Sequence, residues 1–224
     1  MIEKDWKNKI SHRKEKEIIA KQVLKYVNDG DVIGFGSGST SYLTAIEISK
    51  FIKENSIKVK AITTSSTMEK ICKELNIETT TLEKDNIDWS FDGADEVDEN
   101  SWLIKGLGGA LLKEKINIKN SPRNFILIDK SKMVKKLGKK CPVPIEVKKK
   151  DIKKVTEELK KMDIKKIENR LAKDGKKYVT DNGNYIIDCW FNEIEEDLEE
   201  KINQIDGVLD NGLFINYNIN IILD

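Results

Sequence analysis

An acidic turn carries the side chains best suited to proton chemistry. Asp92 and Asp95 stand three residues apart, with Gly93 and Ala94 between them, and Lys105 follows ten residues after Asp95. Carboxylates beside an ammonium group can move protons on a small anionic substrate without the help of a metal ion. The same two aspartates are also common turn formers and common magnesium ligands, so their types and spacing leave those two explanations open.

A glycine-rich turn lies between Lys105 and a predicted helix. Gly106, Gly108 and Gly109 expose backbone amides there, and Glu114 follows on the helix. Such amides can hold negative charge as it develops, and a glutamate close by can act as a general base. The spacing is equally typical of a solvated helix residue, because Glu114 stands between two lysines.

A second glycine-rich turn enters a helix at residues 36–40. Ser37, Gly38, Ser39 and Thr40 would place amides and hydroxyls at the helix start, which suits a phosphate group. The turn is not a P-loop, because no lysine precedes the final Ser-Thr, and it also misses the dinucleotide-binding spacing. Ser39 and Thr40 would also be expected there as ordinary helix-capping residues.

Composition excludes several functional classes. Of 224 residues, 38% are hydrophobic and 35% are charged, and the formal net charge is only +1. This near balance gives no basic footprint for nucleic acid. No apolar run approaches the roughly 20 residues that a membrane-spanning helix needs. Residues 1–16 lack the apolar core of a signal peptide, so we expect a cytoplasmic protein that binds no membrane.

Cysteine and histidine are too sparse for several kinds of site. Cys72, Cys141 and Cys189 are far apart and contain no Cys-x-x-Cys motif, so we expect neither disulfides nor a zinc site. The single histidine, His12, lies in a polar segment, which leaves no Ser-His-Asp triad or multi-histidine metal site. Proton transfer must therefore fall to carboxylates or lysines.

Strands, polar loops and helices alternate over the first part of the chain. Hydrophobic periodicity predicts helices at 13–28, 41–54 and 64–75, and strands at 31–35, 59–63, 77–81, 87–91 and 124–128. This order predicts an α/β fold in which a parallel, Rossmann-like sheet is flanked by helices. Ligands of such sheets bind beyond the carboxyl ends of the strands, so we expect the loops at 36–40, 64–67, 92–98 and 129–132 to converge.

The pattern changes after Cys141. Strands at 145–147 and 164–171, a helix at 151–162, an Asn182-Gly183 turn and a helix at 193–205 follow in a β-α-β-β-α-β order. This order predicts a smaller α+β domain of the ferredoxin-like type, inserted at 142–208. Residues 1–141 and 209–224 would then form the α/β catalytic domain.

Taken together, the motifs of both turns and of the inserted domain resemble type A ribose-5-phosphate isomerase. The resemblance runs from about Lys16 to Asn216, with matching order and distances, and its motifs are Gly36-Ser37-Gly38-Ser39-Thr40, Thr64-Ser65-Ser66-Thr67, Asp92-Gly93-Ala94-Asp95-Glu96, Lys105-Gly106-Leu107-Gly108-Gly109-Ala110-Leu111, Lys113-Glu114-Lys115 and Thr180-Asp181-Asn182-Gly183-Asn184. It implies interconversion of D-ribose 5-phosphate and D-ribulose 5-phosphate in the non-oxidative pentose phosphate pathway. It also implies a homodimer or homotetramer that needs no metal and no cofactor.

The resemblance also implies roles for individual residues. Glu114 matches the proton acceptor, and Asp92, Asp95 and Lys105 match the other catalytic positions. The positions that match substrate-binding residues are Lys16, Ser37, Gly38, Ser39, Thr40, Gly93, Ala94, Gly106, Leu107, Gly108 and Lys132. Leu107 departs from the family, because it interrupts the glycine run, and it would be strained if that position required positive φ.

Two other functions remain open on the residues themselves. A non-catalytic sugar-phosphate sensor would share the fold, although the chain has no helix-turn-helix segment and keeps Glu114 and Lys105. A nucleotide-binding or acyl-CoA transfer enzyme is indicated only by the glycine turn at 36–40.

Overall fold

The computed structural model describes residues 10–224 and contains two compact units. The first comprises residues 10–93, Lys113–Lys132 and Asn218–Asp224, and the second comprises Ala94–Leu112 and Met133–Tyr217. Residues 1–9, the start of the predicted 1–141 domain, lie outside the described part. These units differ from the predicted domains at 94–112, 133–141 and 209–217, because short strands in 94–112 pair with a strand at 213–214.

The first unit is built on a parallel sheet. Its strands are β1 (Val32–Phe35), β2 (Lys60–Thr63), β3 (Glu78–Thr79), β4 (Trp89–Asp92), β7 (Asn124–Ile128) and β13 (Asn220–Leu223). Within the described residues the sheet has the order β13-β7-β4-β1-β2-β3, and every pairing is parallel. The strand order reverses direction between β1 and β4, and ligands of open α/β sheets bind at such a reversal.

Helices cover both faces of this sheet. They are α1 (Arg13–Gln22), α2 (Ser39–Asn55), α3 (Ser66–Glu74) and α4 (Leu111–Lys119), of which α4 begins in the second unit and continues into the first. Alternate residues of a strand face opposite sides, so Ile33 packs into one core with residues of α1, α2 and α3. On the other face Asn117 of α4 donates to the Ile62 carbonyl at 3.0 Å.

The second unit contains two antiparallel sheets. One consists of β5 (Glu96–Val97), β6 (Leu103–Ile104) and β12 (Leu213–Phe214), and the other of β8 (Val143–Val147), β9 (Ile164–Asn169), β10 (Tyr185–Phe191) and β11 (Val208–Asn211). Two helices, α5 (Ile152–Leu159) and α6 (Leu198–Asn203), connect the strands of the larger sheet. Its order in the described chain, β11-β8-β10-β9, places the last strand beside the first, and this β-α-β-β-α-β unit confirms the predicted ferredoxin-like fold.

Some predicted elements are shorter in the structure. The helix predicted at 13–28 ends at Gln22 and is followed by a 3₁₀ turn at Leu24–Tyr26. The helix predicted at 193–205 covers only Leu198–Asn203, because the acidic residues before it remain outside the helix, next to its N-terminus, where negative charge is favoured. No helix in residues 10–224 is long and apolar enough to cross a membrane.

Candidate active site

The loops after β1 and β4 meet where the strand order of the first unit reverses. The Ser37 backbone N–H donates to Oδ1 of Asp92 at 3.1 Å, and the Gly93 N–H donates to the same oxygen at 2.7 Å. The Ser41 hydroxyl also donates to it, at 3.2 Å. Asp92 is only 4% exposed, so these donors stabilise a carboxylate that has little contact with water.

Glycine at position 36 makes this approach possible. A Cβ there would lie 2.0 Å from Cγ of Asp92, a distance that no side chain could tolerate. Gly38 is different, because its φ of +98° favours glycine and a Cβ there would meet nothing within 4 Å. Gly38 is the N-cap of α2, so open space lies beside the start of that helix, where backbone amides can bind an anion.

Hydroxyl groups link this turn to the loop after β2. Ser37 Oγ lies 2.7 Å from Oγ1 of Thr64 and donates to Oγ of Ser65 at 2.8 Å. Ser65 also accepts from the Met68 N–H at 3.1 Å, which makes it the N-cap of α3. Ser65 therefore serves both as a helix cap and as a support for Ser37.

Two lysines and an aspartate add charge near the same turn. Lys16 on α1 is 4% exposed and donates to Oγ of Ser39 at 3.0 Å. Burial lowers the pKa of Lys16 below the ordinary lysine value, the nearby Lys132 ammonium lowers it further, and the Asp129 carboxylate opposes both. A phosphate group bound here would offset the repulsion between the two lysines.

Asp129, at the end of β7, is held as an anion. Burial by itself would raise its pKa, but hydrogen bonds from the Ser131 hydroxyl and backbone N–H and the charge of Lys16 hold the pKa of Asp129 below its usual range. Lys132 from this loop is among the predicted substrate-binding residues, whereas Asp129 is not. Its position directly after an apolar strand was the available signal.

Glu114 lies in the first turn of α4 and is 5% exposed. The alternative of a solvated helix residue between two lysines is therefore wrong. The neighbouring Lys115 is fully buried. Charged groups that are buried in this way are rare unless they serve a function or have partners.

The other two predicted catalytic residues, Asp95 and Lys105, belong to the second unit. The Asp95 N–H donates to the Ile104 carbonyl at 2.8 Å, so Asp95 and Lys105 lie at the same end of the β5–β6 hairpin. Lys105 is 2% exposed, and its Nζ lies 5.8 Å from the centre of the Phe214 ring, within range of a cation–π interaction. Oδ2 of Asp95 accepts the Leu107 N–H at 3.0 Å.

The glycine loop after Lys105 is a tight turn that Leu107 does not strain. The Gly109 N–H donates to the Gly106 carbonyl at 3.0 Å, and the positive φ values fall on Gly106 (+99°) and Gly109 (+82°). Leu107 is not among the described non-glycine residues with positive φ, and its side chain is 42% exposed. The two positions that require glycine therefore keep it.

The turn at residues 180–184, one of the motifs of the family resemblance, has a structural explanation. Oε1 of Glu146 on β8, a fully buried residue, accepts from Thr180 at 2.8 Å, Asn182 at 3.2 Å and Asn184 at 2.9 Å. Gly183 has a φ of +81°, as an Asn-Gly turn requires. These hydrogen bonds to Glu146 stabilise a hairpin turn of the second unit.

No group of three or more His, Cys, Asp or Glu side chains in residues 10–224 is arranged to hold a metal ion. A reaction without metal or cofactor stays a prediction.

Comparison with known proteins identifies the family. The chain matches the family described as ribose 5-phosphate isomerase A (phosphoriboisomerase A) over residues 60–224. It is 40% identical over 200 residues to ribose-5-phosphate isomerase A of Picrophilus torridus, an alignment that covers 89% of this chain and 88% of that protein.

Solved structures agree with this assignment. Ribose 5-phosphate isomerase A from Methanocaldococcus jannaschii superposes with a TM-score of 0.90 at 38% identity, covering 95% of this chain and 96% of that one. A D-ribose-5-phosphate isomerase in complex with phospho-erythronic acid gives a TM-score of 0.90 at 36% identity and covers 96% of both chains. The resemblance read from the motifs is confirmed: this chain belongs to the ribose 5-phosphate isomerase A family.

Proposed function

We propose that the chain interconverts D-ribose 5-phosphate and D-ribulose 5-phosphate through an enediolate, as an enzyme of the non-oxidative pentose phosphate pathway. One observation carries this proposal. The loops at the strand reversal of the first unit combine a buried carboxylate, Asp92, with a buried ammonium group, Lys16, and an open helix start at Gly38. That combination suits a substrate that carries both a phosphate and ionisable hydroxyls.

The phosphate is assigned to the turn at 36–40. The amides and hydroxyls of Ser37, Gly38, Ser39 and Thr40 bind its oxygens, and Lys16 and Lys132 offset its charge. Lys16 is already oriented toward Ser39 by its hydrogen bond. Holding the phosphate fixes the position of the sugar carbons relative to the acid and base groups.

The proton transfer is assigned to Glu114. Asp92 assists opening of the furanose ring, and Glu114 takes the proton from C2 and returns it to C1. The burial of Glu114 favours this role, because carboxylates are rarely buried unless they have a partner or a function.

The developing negative charge is assigned to the second glycine turn. Lys105 and the amides of Gly106 and Gly108 stabilise the enediolate oxygen, and Asp95, which accepts the Leu107 N–H, orients the hydroxyls. Gly93 and Ala94, which separate the two aspartates in the sequence, contribute backbone groups to sugar binding. Donors that are fixed before the reaction stabilise such charge without the cost of reorganising solvent.

The finer assignments rest on the family resemblance. We propose that the enzyme acts in the cytoplasm as a homodimer or homotetramer and that it needs neither metal nor cofactor. Its binding partner is the phosphosugar substrate, and we expect it to bind neither nucleic acid nor membranes.

The experiment is an isomerase assay of the purified protein with ribose 5-phosphate in the presence of EDTA. Ribulose 5-phosphate should form at the same rate with and without the chelator. Binding of ribose 5-phosphate with no turnover would instead establish the non-catalytic sensor. Loss of activity with EDTA would reject the metal-free mechanism.

A further inference from the structure

Arg170 forms hydrogen bonds to the backbone of the glycine loop through one nitrogen of its guanidinium group. Its Nη1 donates to the Gly106 carbonyl at 2.8 Å and to the Leu107 carbonyl at 3.0 Å. The other side of the same group is occupied by Asp188, because Nε donates to Oδ2 of Asp188 at 2.9 Å and Nη2 donates to Oδ1. Only arginine offers this planar fork of donors.

These contacts fix the direction of two peptide planes. In a trans peptide the C=O and N–H bonds point in opposite directions. The Gly106–Leu107 peptide is held at both ends, since its carbonyl accepts from Arg170 and its N–H donates to Oδ2 of Asp95 at 3.0 Å. The Leu107 carbonyl also accepts from Arg170, so the Gly108 N–H points away from Arg170 as well.

The residues behind the loop are closely packed and hydrogen-bonded. Arg170 and Asp188 are 12% and 13% exposed at their side chains, and the Arg170 N–H donates to the Ile186 carbonyl at 2.9 Å. The Tyr178 hydroxyl donates to the Gly108 carbonyl at 3.3 Å. A Cβ on Gly109 would lie 2.4 Å from that hydroxyl oxygen, so this part of the loop fits closely against Tyr178.

We propose that Arg170, supported by Asp188, is a positioning residue for the isomerisation. By holding the carbonyls of Gly106 and Leu107, it directs the Gly108 N–H and the Asp95 carboxylate toward the reacting oxygens of the sugar. It acts through the backbone and does not touch the substrate. This inference rests on the proposed function, in which Lys105 and the amides of Gly106 and Gly108 stabilise the enediolate.

A purely structural ion pair would behave differently. Loss of structural support lowers stability without separating kcat from KM. Loss of the orientation of the loop amides weakens their binding of the enediolate more than binding of the ground-state sugar. Arg170→Lys separates these cases, because lysine keeps a positive charge beside Asp188 but lacks the planar fork that binds two carbonyls while facing a carboxylate.

The experiment measures kcat, KM and the melting temperature of the full-length wild type, Arg170→Lys and Asp188→Asn. It also measures inhibition by phospho-erythronic acid, a sugar acid whose carboxylate places negative charge on oxygen. Lys154→Met is the control, because it removes an exposed ion pair with Asp206 in the same unit.

In Arg170→Lys we expect kcat to fall at least tenfold, phospho-erythronic acid to bind more weakly by a similar factor, and KM to change less than threefold. Asp188→Asn should show the same pattern to a smaller degree and keeps the inference testable if Arg170→Lys does not fold. The Lys154→Met control should match the wild type.

Two results would overturn the inference. If kcat and inhibitor affinity stay within threefold of the wild type while the melting temperature falls, the ion pair is only structural. If KM rises with kcat unchanged, Arg170 supports substrate binding in general. A wild-type protein without isomerase activity would instead reject the proposed function, which makes the two failures distinguishable.

Discussion

The carboxyl edge of the sheet in the first unit and the interior of the second unit both bury charge, but in different surroundings. At the carboxyl edge of the sheet, the loop that binds Asp92 also carries serine hydroxyls, a contact with Lys16 and the open helix start at Gly38. In the second, fully buried Glu96 accepts the backbone N–H groups of Gly138, Lys139 and Cys141 at 2.7, 3.3 and 2.9 Å, and also that of Lys140.

The difference shows that burial of charge does not by itself identify a catalytic residue. Glu96 and Glu146 each bond to donors from a single loop, so each carboxylate serves to hold that loop in place. Asp92 bonds to donors from two loops that leave different strands, at a point where the strand order reverses. We expect substitutions of Glu96 and Glu146 to reduce stability and substitutions of Asp92 to reduce turnover.

Of four substitutions, Lys105→Met should have the largest effect, followed by Glu96→Gln, Thr40→Val and Leu107→Gly. Methionine fills a similar volume without the charge that stabilises the enediolate, so we expect kcat to fall by about 10²–10³-fold. Steady-state kinetics on ribose 5-phosphate measure this. Lys166→Met, which removes a lysine 56% exposed at its side chain in the same unit, should be nearly silent. Normal turnover in Lys105→Met would remove Lys105 from the catalytic set.

Glu96→Gln should reduce the stability of the second unit and leave turnover nearly unchanged. Replacing the carboxylate weakens several charge-assisted hydrogen bonds to the 138–141 loop, so the free energy of unfolding should fall by about 1.5–3 kcal/mol. Urea unfolding measures the change, and kcat per folded molecule should stay within threefold. Glu168→Gln on β9, 50% exposed at its side chain, is the control. A large loss of kcat at full stability would place Glu96 among the catalytic residues.

Thr40→Val should raise KM roughly tenfold or more, since one hydrogen bond to a charged group is worth about 1.5–3 kcal/mol. The substitution keeps the shape of the side chain and should leave kcat almost unchanged. Thr44→Val, one turn further along α2, removes a hydroxyl that donates to the Thr40 carbonyl and serves as the control. An unchanged KM for Thr40→Val would place the phosphate elsewhere.

Leu107→Gly should have the smallest effect. Because Leu107 does not have positive φ, glycine relieves no strain and adds freedom to the unfolded chain. We expect a loss of about 0.5–1 kcal/mol in the free energy of unfolding and a kcat within threefold of the wild type. A gain in stability would show that leucine is strained at this position.

Much of the fold was predictable from local patterns. β1 and β7 are short apolar runs that end at glycine or charged residues, and the structure places them at 32–35 and 124–128, close to the prediction. The helix at 198–203 was predicted too long, because periodicity continued through acidic residues that the structure leaves at its N-terminus.

The site was predictable where chemistry and strand ends coincide. Asp92 and the 36–40 turn follow apolar strands, so their meeting at the strand reversal could be expected. The backbone conformation of Leu107 and the contacts of Arg170 depend on tertiary structure and could not. One signal was overlooked: Arg170 is one of three arginines in a chain rich in lysine, which indicates a position that needs a planar, forked donor.

The most direct test of the proposed chemistry is the turnover of Glu114→Gln. Glutamine preserves the shape of the buried side chain and removes its basicity, so kcat should fall by about 10²–10⁴-fold while KM stays within threefold. Glu69→Gln, which alters an exposed ion pair on α3, should retain full activity. If Glu114→Gln isomerises ribose 5-phosphate at a rate near that of the wild type, Glu114 is not the base and the proposed proton transfer is wrong.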